Sequence, residues 1–280
     1  MKLTFLGVRG STPAPGAEFV RYGGNTSCVA VTLGSDVAPR LVLDAGTGLR
    51  ALTPLLGGAS FQGSILVSHL HWDHVQGIPF FNAGDREGSR VHVVVPEQHG
   101  QTGRDLIAQL LSPPAFPITP EGLRGTWSFA AVPTGEFEAE GARVTAVDVV
   151  HKGGRTFGYR IDADGASVAY LPDHAPAAGV GSETLAALAG VDVLIHDAQF
   201  LDTERVVADD YAHATISDAV GFARRINAGT LVLFHHSPAR VDDALDRVLE
   251  GVDLDTVVVA HEGLTLDVAR VTDRSQSAGR

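Results

Sequence analysis

The segment "SHLHWDHVQG" at residues 68–77 crowds His69, His71, Asp73 and His74 into one short stretch. A helix face has no need of so many lone-pair donors, and an apolar core would reject them. A bound cation would use all of them. Residues two apart on an extended chain share a face, so His69 and His71 can hold one ion together. A turn after them swings Asp73 and His74 toward a second ion. Imidazole and carboxylate donors suit zinc, and also manganese or iron.

A dinuclear site needs more ligands than this segment offers, and the ends of other strand-like runs supply them. "LVLDAG" ends in Asp44, "VTAVDVVH" in His151, "VAYLPD" in Asp173, "VLIHD" in Asp197 and "LVLFHH" in His235 and His236. In layered α/β architectures the strand ends aim side chains into a common crevice. His151 is the natural third histidine for the first ion and His235 the third ligand for the second. Asp173 is the natural bridge, since one carboxylate can span two cations ~3.5–4 Å apart. Asp44 sits where it can accept a hydrogen bond from a ligand histidine and so orient it. Alternation turns His236 to the opposite face, and His92, His99, His174 and His261 read as structural or surface residues. Taken singly, a strand-end histidine is more often a satisfied core or surface residue than a ligand. Four ligand-type residues in one turn change that balance.

The elements that must carry these residues alternate between β-rich and helical patterns. Strands are expected at "KLTFLG", "SCVAVTL", "RLVLDAG", "GSILVSH", "RVHVVV", "RVTAVDVVH", "TFGYRI", "SVAYLPD", "VDVLIHD", "TLVLFHH" and, as one long run, "TVVVAHEGLTLDV". Helices are expected at "GLRALTPLL", "QTGRDLIAQLL", "SETLAALAG", "TISDAVGFARRI" and "VDDALDRVLEG", where apolar residues recur at three or four. Thr215 with Asp218 forms a capping box at the fourth of these. The Pro-rich segment 112–126 reads as a surface loop beside the site. No composition break marks a linker, so residues 1–270 read as one domain of sheets flanked by helices, with 271–280 a frayed tail.

Composition narrows the partners. With 44% hydrophobic and 19% charged residues over 280 positions, the chain is an ordinary globular protein. A lone cysteine, Cys28, excludes an internal disulfide framework and a multi-cysteine zinc site. The N-terminus lacks a signal-peptide apolar region, and no stretch approaches the ~18–20 apolar residues of a membrane span, so a cytoplasmic protein is expected. A formal net charge of −12 argues against broad capture of long nucleic acid, which needs Lys and Arg to neutralise phosphates. A small substrate held by metal suits this balance better.

In the order "LDAG", "SHLHWDH", His151, Asp173, His235, the chain resembles the metallo-β-lactamase superfamily along nearly its whole length. That resemblance implies a four-layer αββα sandwich of the α/β class, with a metal site along one edge of its two sheets. Within the superfamily it looks most like the ribonuclease Z branch and its small phosphodiesterase relatives. "LGVRGSTPAPG" resembles that branch's opening strand and glycine-rich loop, and "VVHKGGRTFGYRI" its third-histidine motif. "LIHDAQF" resembles its His-Glu-Ala-Thr segment with Asp197 in place of Glu, and "AHATISDAV" its His-Ser-Thr segment with His213 as the matching histidine. Two departures stand out. Ribonuclease Z of bacteria carries a long tRNA-gripping arm between the third histidine and the bridging Asp, whereas here only a strand and a hairpin separate His151 from Asp173. The bridging Asp is also followed by "HAP" rather than a Thr-containing turn.

The resemblance implies a hydrolase with two divalent ions, zinc first and manganese second, acting on a small or cyclic phosphodiester through a metal-bridging hydroxide. His213 is then the general acid, Asp197 holds its ring, and Asp73 counts with the catalytic residues as well as the ligands. Asn25 and Ser27 could line the pocket, and the helix N-terminus at Thr215 could attract a phosphate oxygen. Rival readings are a ribonuclease Z-like RNA 3′-end endonuclease, a β-lactamase or thioesterase, and a non-catalytic metal- or ligand-binding sensor. Relatives of this fold often dimerise, so a homodimer is an expectation, although no seam is visible in the sequence.

Overall fold

A computed structural model describes residues 1–252, 254 and 256–269, so the expected tail at 271–280 lies outside the described residues. The first half supplies β1 (Lys2–Gly7), β2 (Cys28–Thr32), β3 (Leu41–Leu43), β4 (Gln62–Leu66), β5 (Arg90–Pro96) and β6 (Thr126–Val132). The second half supplies β7 (Gly135–Ala139), β8 (Ala142–Val149), β9 (Thr156–Ala163), β10 (Ala166–Leu171), β11 (Val193–Asp197), β12 (Thr230–Phe234) and β13 (Val257–Val259). A last strand, β14 (Thr265–Asp267), returns to the first sheet. The helices are α1 (Leu52–Leu55), α2 (Trp72–Val75), α3 (Gly103–Ala108), α4 (Ser182–Leu188), α5 (Arg205–Tyr211), α6 (Ile216–Arg225) and α7 (Asp242–Leu245).

Both sheets share one wiring. The first runs β14-β1-β2-β3-β4-β5-β6 and the second β13-β12-β11-β10-β9-β8-β7. Pairing is antiparallel from β14 to β3 and parallel from β3 to β6. In the second sheet it is antiparallel from β7 to β10 and parallel from β10 to β13. Consequently β1, β3 and β4 point one way in their sheet, and β8, β10, β11 and β12 share a direction in theirs. Their C-terminal ends, where the sequence keeps its acids and histidines, therefore collect at one edge of each sheet.

Side-chain alternation explains the layering. Leu3 and Phe5 of β1, Leu41 and Leu43 of β3, Val168 and Tyr170 of β10, and Val232 and Phe234 of β12 fill the space between the sheets. The intervening residues face outward: Val42 and Ile65 meet Leu52 and Leu106 on one side, while Leu194 and Leu231 meet Ala219 and Phe222 on the other. Strands buried on both faces read as continuous apolar runs, as β3 and β12 do. Each fully buried Leu or Phe contributes about 1.5–3 kcal/mol, and the result is the four-layer αββα sandwich.

Several expectations need correction. "TVVVAHEGLTLDV" is two strands, β13 and β14, in different sheets, because the chain turns at Glu262–Gly263, where Gly263 has a φ of 83°. "GLRALTPLL" starts as a 3-10 segment, Thr47–Ala51, before the single turn of α1. The strands β6 and β7 and the helices α2 and α5 went unread. The segment 112–126 is loop apart from a 3-10 turn at Pro120–Gly122 and the first residue of β6.

One close approach fixes the site's floor. Ala45 N–H donates to the His74 carbonyl at 2.7 Å and Gly77 N–H to the Ala45 carbonyl at 2.8 Å, clamping the turn after β3 onto α2. A Cβ at Gly77 would lie 2.1 Å from the Gly46 carbonyl oxygen, a backbone atom that no rotamer change can move. Gly77→Ala is therefore expected to lower stability by about 1–3 kcal/mol, as overpacking does. Urea unfolding of the two proteins checks this, and an unchanged midpoint would show that the turn has room to shift.

Candidate metal centre

Asp44 follows β3 with a φ of 58° and is completely buried. Ser68 donates to its carboxylate from both backbone (2.6 Å) and hydroxyl (2.9 Å), Tyr170 donates its hydroxyl at 2.8 Å, and His74 donates Nδ1–H at 2.7 Å. That cluster locks the end of β4 and fixes the His74 ring with Nε2 turned toward Asp173, 3.1 Å from its Oδ1. His71 is extended and caps α2, so the chain leaves β4, presents His69 and His71, and then curls to bring Asp73 and His74 inward.

Two donor groups flank Asp173. His69, His71, His151 and Asp173 form one, and Asp73, His74 and His235 form the other, while a third combination, Asp173, His213 and His235, draws on both sides. In the first, His71 Nδ1 and His151 Nε2 are 3.2 Å apart, and Asp173 Oδ2 lies 3.4 Å from His151 Nε2 and 3.7 Å from His69 Nε2. In the second, His235 Nε2 lies 3.1 Å and His74 Nε2 3.2 Å from Asp73 Oδ2. Asp173 Oδ1 is 3.1 Å from both His74 Nε2 and His235 Nε2, so its two oxygens face the two groups separately.

The residues fit divalent ions. His69 Nε2, His74 Nε2 and Asp173 Oδ1 are buried without a hydrogen-bond partner. The His74 and Asp173 atoms touch, yet their geometry is not that of a hydrogen bond. Buried polar atoms left this way are costly unless something else satisfies them, and a cation between them would. His151 Nδ1 donates to the Ala212 carbonyl at 2.9 Å, which orients that ring as well.

The protonation pattern points the same way. Burial pushes the His69, His71 and His151 imidazoles below their ordinary value, toward the neutral form that binds metal. Burial would raise Asp173, but His235, His74, His69 and His151 outweigh it and hold the carboxyl well below its usual range. Burial alone would lower His74, but Asp73, Asp173 and Asp44 drive it well above its ordinary value. These carboxylates demand a positive charge at that position.

His213 stands at the edge of both groups. Its Nδ1 is 2.7 Å from Asp197 Oδ2 and 3.9 Å from Asp173 Oδ2, and its ring stacks on His235 at 5.2 Å. Asp197 is itself held by backbone N–H groups of His174 at 3.1 Å and Gln199 at 3.0 Å. A cleft of about 510 Å³ opens over the centre, lined among others by Trp72, Lys152, Tyr211 and His213.

The expected pocket residues Asn25, Ser27 and Thr215 are not brought to this cleft. Asn25 donates its backbone N–H and side-chain amide to Glu262, at 2.6 and 3.0 Å. Ser27 is completely buried, and its carbonyl accepts from Gly46 N–H. Thr215 is also completely buried and caps α6, whose N-terminus is already filled by the Asp218 carboxylate, with Arg205 donating to the Thr215 hydroxyl at 3.0 Å. His236 turns away and donates to the Ala260 carbonyl, while His174 is buried against His196. Sequence reasoning missed Gly10 and Ser11. Ser11 N–H donates to Asp73 Oδ2 at 2.7 Å, and a Cβ at Gly10 would fall 2.4 Å from the His235 ring. Their signal was the glycine-rich run after β1, visible as a loop but not as a wall of the site.

Residues 39–236 match the model of the beta-lactamase superfamily domain. The chain is 27% identical to ribonuclease Z of Bradyrhizobium diazoefficiens, across 87% of this chain and 92% of that protein. It is 25% identical to ribonuclease Z of Natronomonas pharaonis, across 96% and 98%. Among solved structures it overlays the short form of human tRNase Z with a TM-score of 0.68 at 20% identity, covering 96% of this chain and 100% of that one. It overlays a diphosphatase of the PhnP family with a TM-score of 0.68 at 20% identity, covering 95% and 97%.

The Asp197–His213 pair yields a pH prediction. Burial opposes charge on His213, but Asp197 outweighs it and raises the imidazole from 6.5 to about 9. A raised value means the charged pair stabilises the fold fully below pH 6.5 and is lost as pH rises through about 9. In Asp197→Asn only burial and the remaining charges act, so the His213 midpoint should fall by about two units or more. Ring-proton NMR titration of chelator-treated protein measures both midpoints, and equal values would remove Asp197 as the cause.

Proposed function

We propose that this chain, which belongs to the metallo-β-lactamase superfamily, is a dinuclear metal-dependent phosphodiesterase acting on a small or cyclic phosphodiester. The observation that carries the reading is Asp173, whose two oxygens face separate sets of imidazole and carboxylate donors. His69, His71 and His151 would hold one ion, Asp73, His74 and His235 the other, and Asp173 would bridge them. Zinc, or manganese in its place, would supply a Lewis acid for the phosphoryl oxygens and a water of lowered pKa. Asp44 keeps the His74 ring oriented, and Ser11 N–H holds Asp73 through the oxygen that faces His74 and His235.

The departing alkoxide needs a proton, and His213 is the group that carries one. Its Nδ1 is committed to Asp197, which fixes the ring and favours its charged form, so we read it as general acid rather than ligand. Cleavage of a thioester expels a thiolate, which departs without a proton and gives this pair no comparable task.

A second reading is favoured by one observation: the similarity to ribonuclease Z extends along 87% and 96% of the chain in the two relatives above. On that reading the substrate is an RNA 3′ end. The net charge of −12 and the short β9–β10 hairpin that fills the interval between His151 and Asp173 weigh toward the smaller substrate.

Turnover decides between these. Zinc- and manganese-loaded protein should hydrolyse bis(p-nitrophenyl) phosphate and cyclic nucleotides faster than it trims precursor tRNA or opens nitrocefin. The reverse order would favour the RNA or lactam reading, and bound metal without turnover a sensor. Within that assay, His213→Ala should keep its metal and lose about a hundredfold or more in rate with poor leaving groups, but far less with p-nitrophenolate. Equal losses would remove the general-acid role. Asp173→Ala should disturb occupancy of both ions by elemental analysis, and a normal metal-to-protein ratio would take Asp173 out of the bridging position.

A further inference from the structure

Beside the cleft lies a second cavity of about 400 Å³, with walls that include Trp72, Ile78, Phe80, Leu110, Ala115 and Phe116. Its far side is the Pro-rich loop after α3. Trp72 lines both cavities, so cleft and groove meet at the indole. Trp72 is 74% exposed and Phe80 60%, an unusual display for two large rings lining one groove on a chain whose other aromatics are mostly packed. Phe80 meets Phe116 edge-on at 5.9 Å, and Phe116 packs in turn on the outer core, so the wall is anchored.

The groove carries no charge. Its polar side chains are the neutral Gln76 and Gln109, and Gln76 is tied back to the Thr26 hydroxyl at 3.3 Å. A chain of further phosphates running this way would meet no Lys or Arg, in a protein of net charge −12. Size, apolar walls and few polar groups are those of a small-molecule site.

We propose that the groove takes an uncharged apolar ester group of the phosphodiester whose phosphate lies in the cleft. The inference rests on the phosphodiesterase reading and narrows it to substrates with an apolar arm. Trp72 then serves as the specificity-determining residue at the corner, with one face to the cleft and the other to the arm.

The test compares p-nitrophenyl methyl phosphate with p-nitrophenyl hexyl phosphate on metal-loaded protein. The hexyl ester should be favoured in kcat/KM by about tenfold or more, mainly through KM, because several methylenes leave water. Phe80→Ser, at an exposed position away from the metal centre, should erase most of that preference and leave the methyl ester unchanged. A binding arm does not depend on turnover: in a Trp127→Phe background, hexylphosphonate should shift the Trp72 emission at about tenfold lower concentration than methylphosphonate. Equal kinetics for the two esters, or equal phosphonate titrations, overturns the groove assignment. Failure to hydrolyse either ester, with the phosphonate difference intact, sinks the phosphodiesterase reading and spares the groove. Sedimentation that finds a dimer dissociated by Phe80→Ser would reassign the groove to self-association and overturn the proposal.

Discussion

Asp173 is buried to 1% exposure with imidazoles on two sides, and a carboxylate so far from water is tolerable only when positive charge faces it. Three nearby groups, Asp44, Asp73 and Asp197, add to the demand. Imidazoles that are themselves pushed toward neutrality by burial cannot meet it alone. A proton on His213 answers part of the demand, while Nε2 of His69, Nε2 of His74 and Oδ1 of Asp173 are left with nothing to bond. Cations complete the balance, and everything else in the fold serves to hold these groups together despite their mutual strain.

That holding comes from the repeated wiring of the two sheets. Each carries an antiparallel half followed by a parallel half, so the equivalent turns after β3 and β10 deliver Asp44 and Asp173. The turn after β4 delivers the histidine cluster, and β11 itself ends in Asp197. Because the two sheets pack through one apolar layer, their edges have a fixed separation, and Tyr170 crosses that layer to donate from the second sheet to Asp44 of the first. Rigid strands thereby set distances that loops alone could not hold. Gly10, Gly46 and Gly77 remove side chains where backbone must approach ring or carbonyl.

What could be read from the sequence divides along the same lines. The donors at 69–74 were legible because their density has no ordinary structural use, and Asp44, His151, Asp173 and His235 because strand ends in such folds converge. His236 was assigned to the other face by alternation, and it bonds there to Ala260. Asn25 and Thr215 lie away from the cleft because polar residues near glycine-rich turns and helix starts serve equally well in local capping, here with Glu262 and Asp218. The roles of Ser11 and Gly10 depend on a contact with residues far along the chain, which no local pattern encodes. β6 and β7 were hidden by the polar alternation of strands that lie near their sheets' edges.

Electrostatics finally separates attraction from selection. A protein of net charge −12 repels an anionic substrate at long range, yet exposed charge is screened within about 10 Å at moderate salt. The pull on a phosphate must therefore be local, exerted inside the cleft where burial weakens screening. A single phosphate satisfies that pull once it is seated, whereas a further phosphate laid along the groove beside Trp72 meets no Lys or Arg. The neutral, apolar groove beside Trp72 extends the same logic. On the proposed reading, it would reward the part of a substrate that the field does not touch.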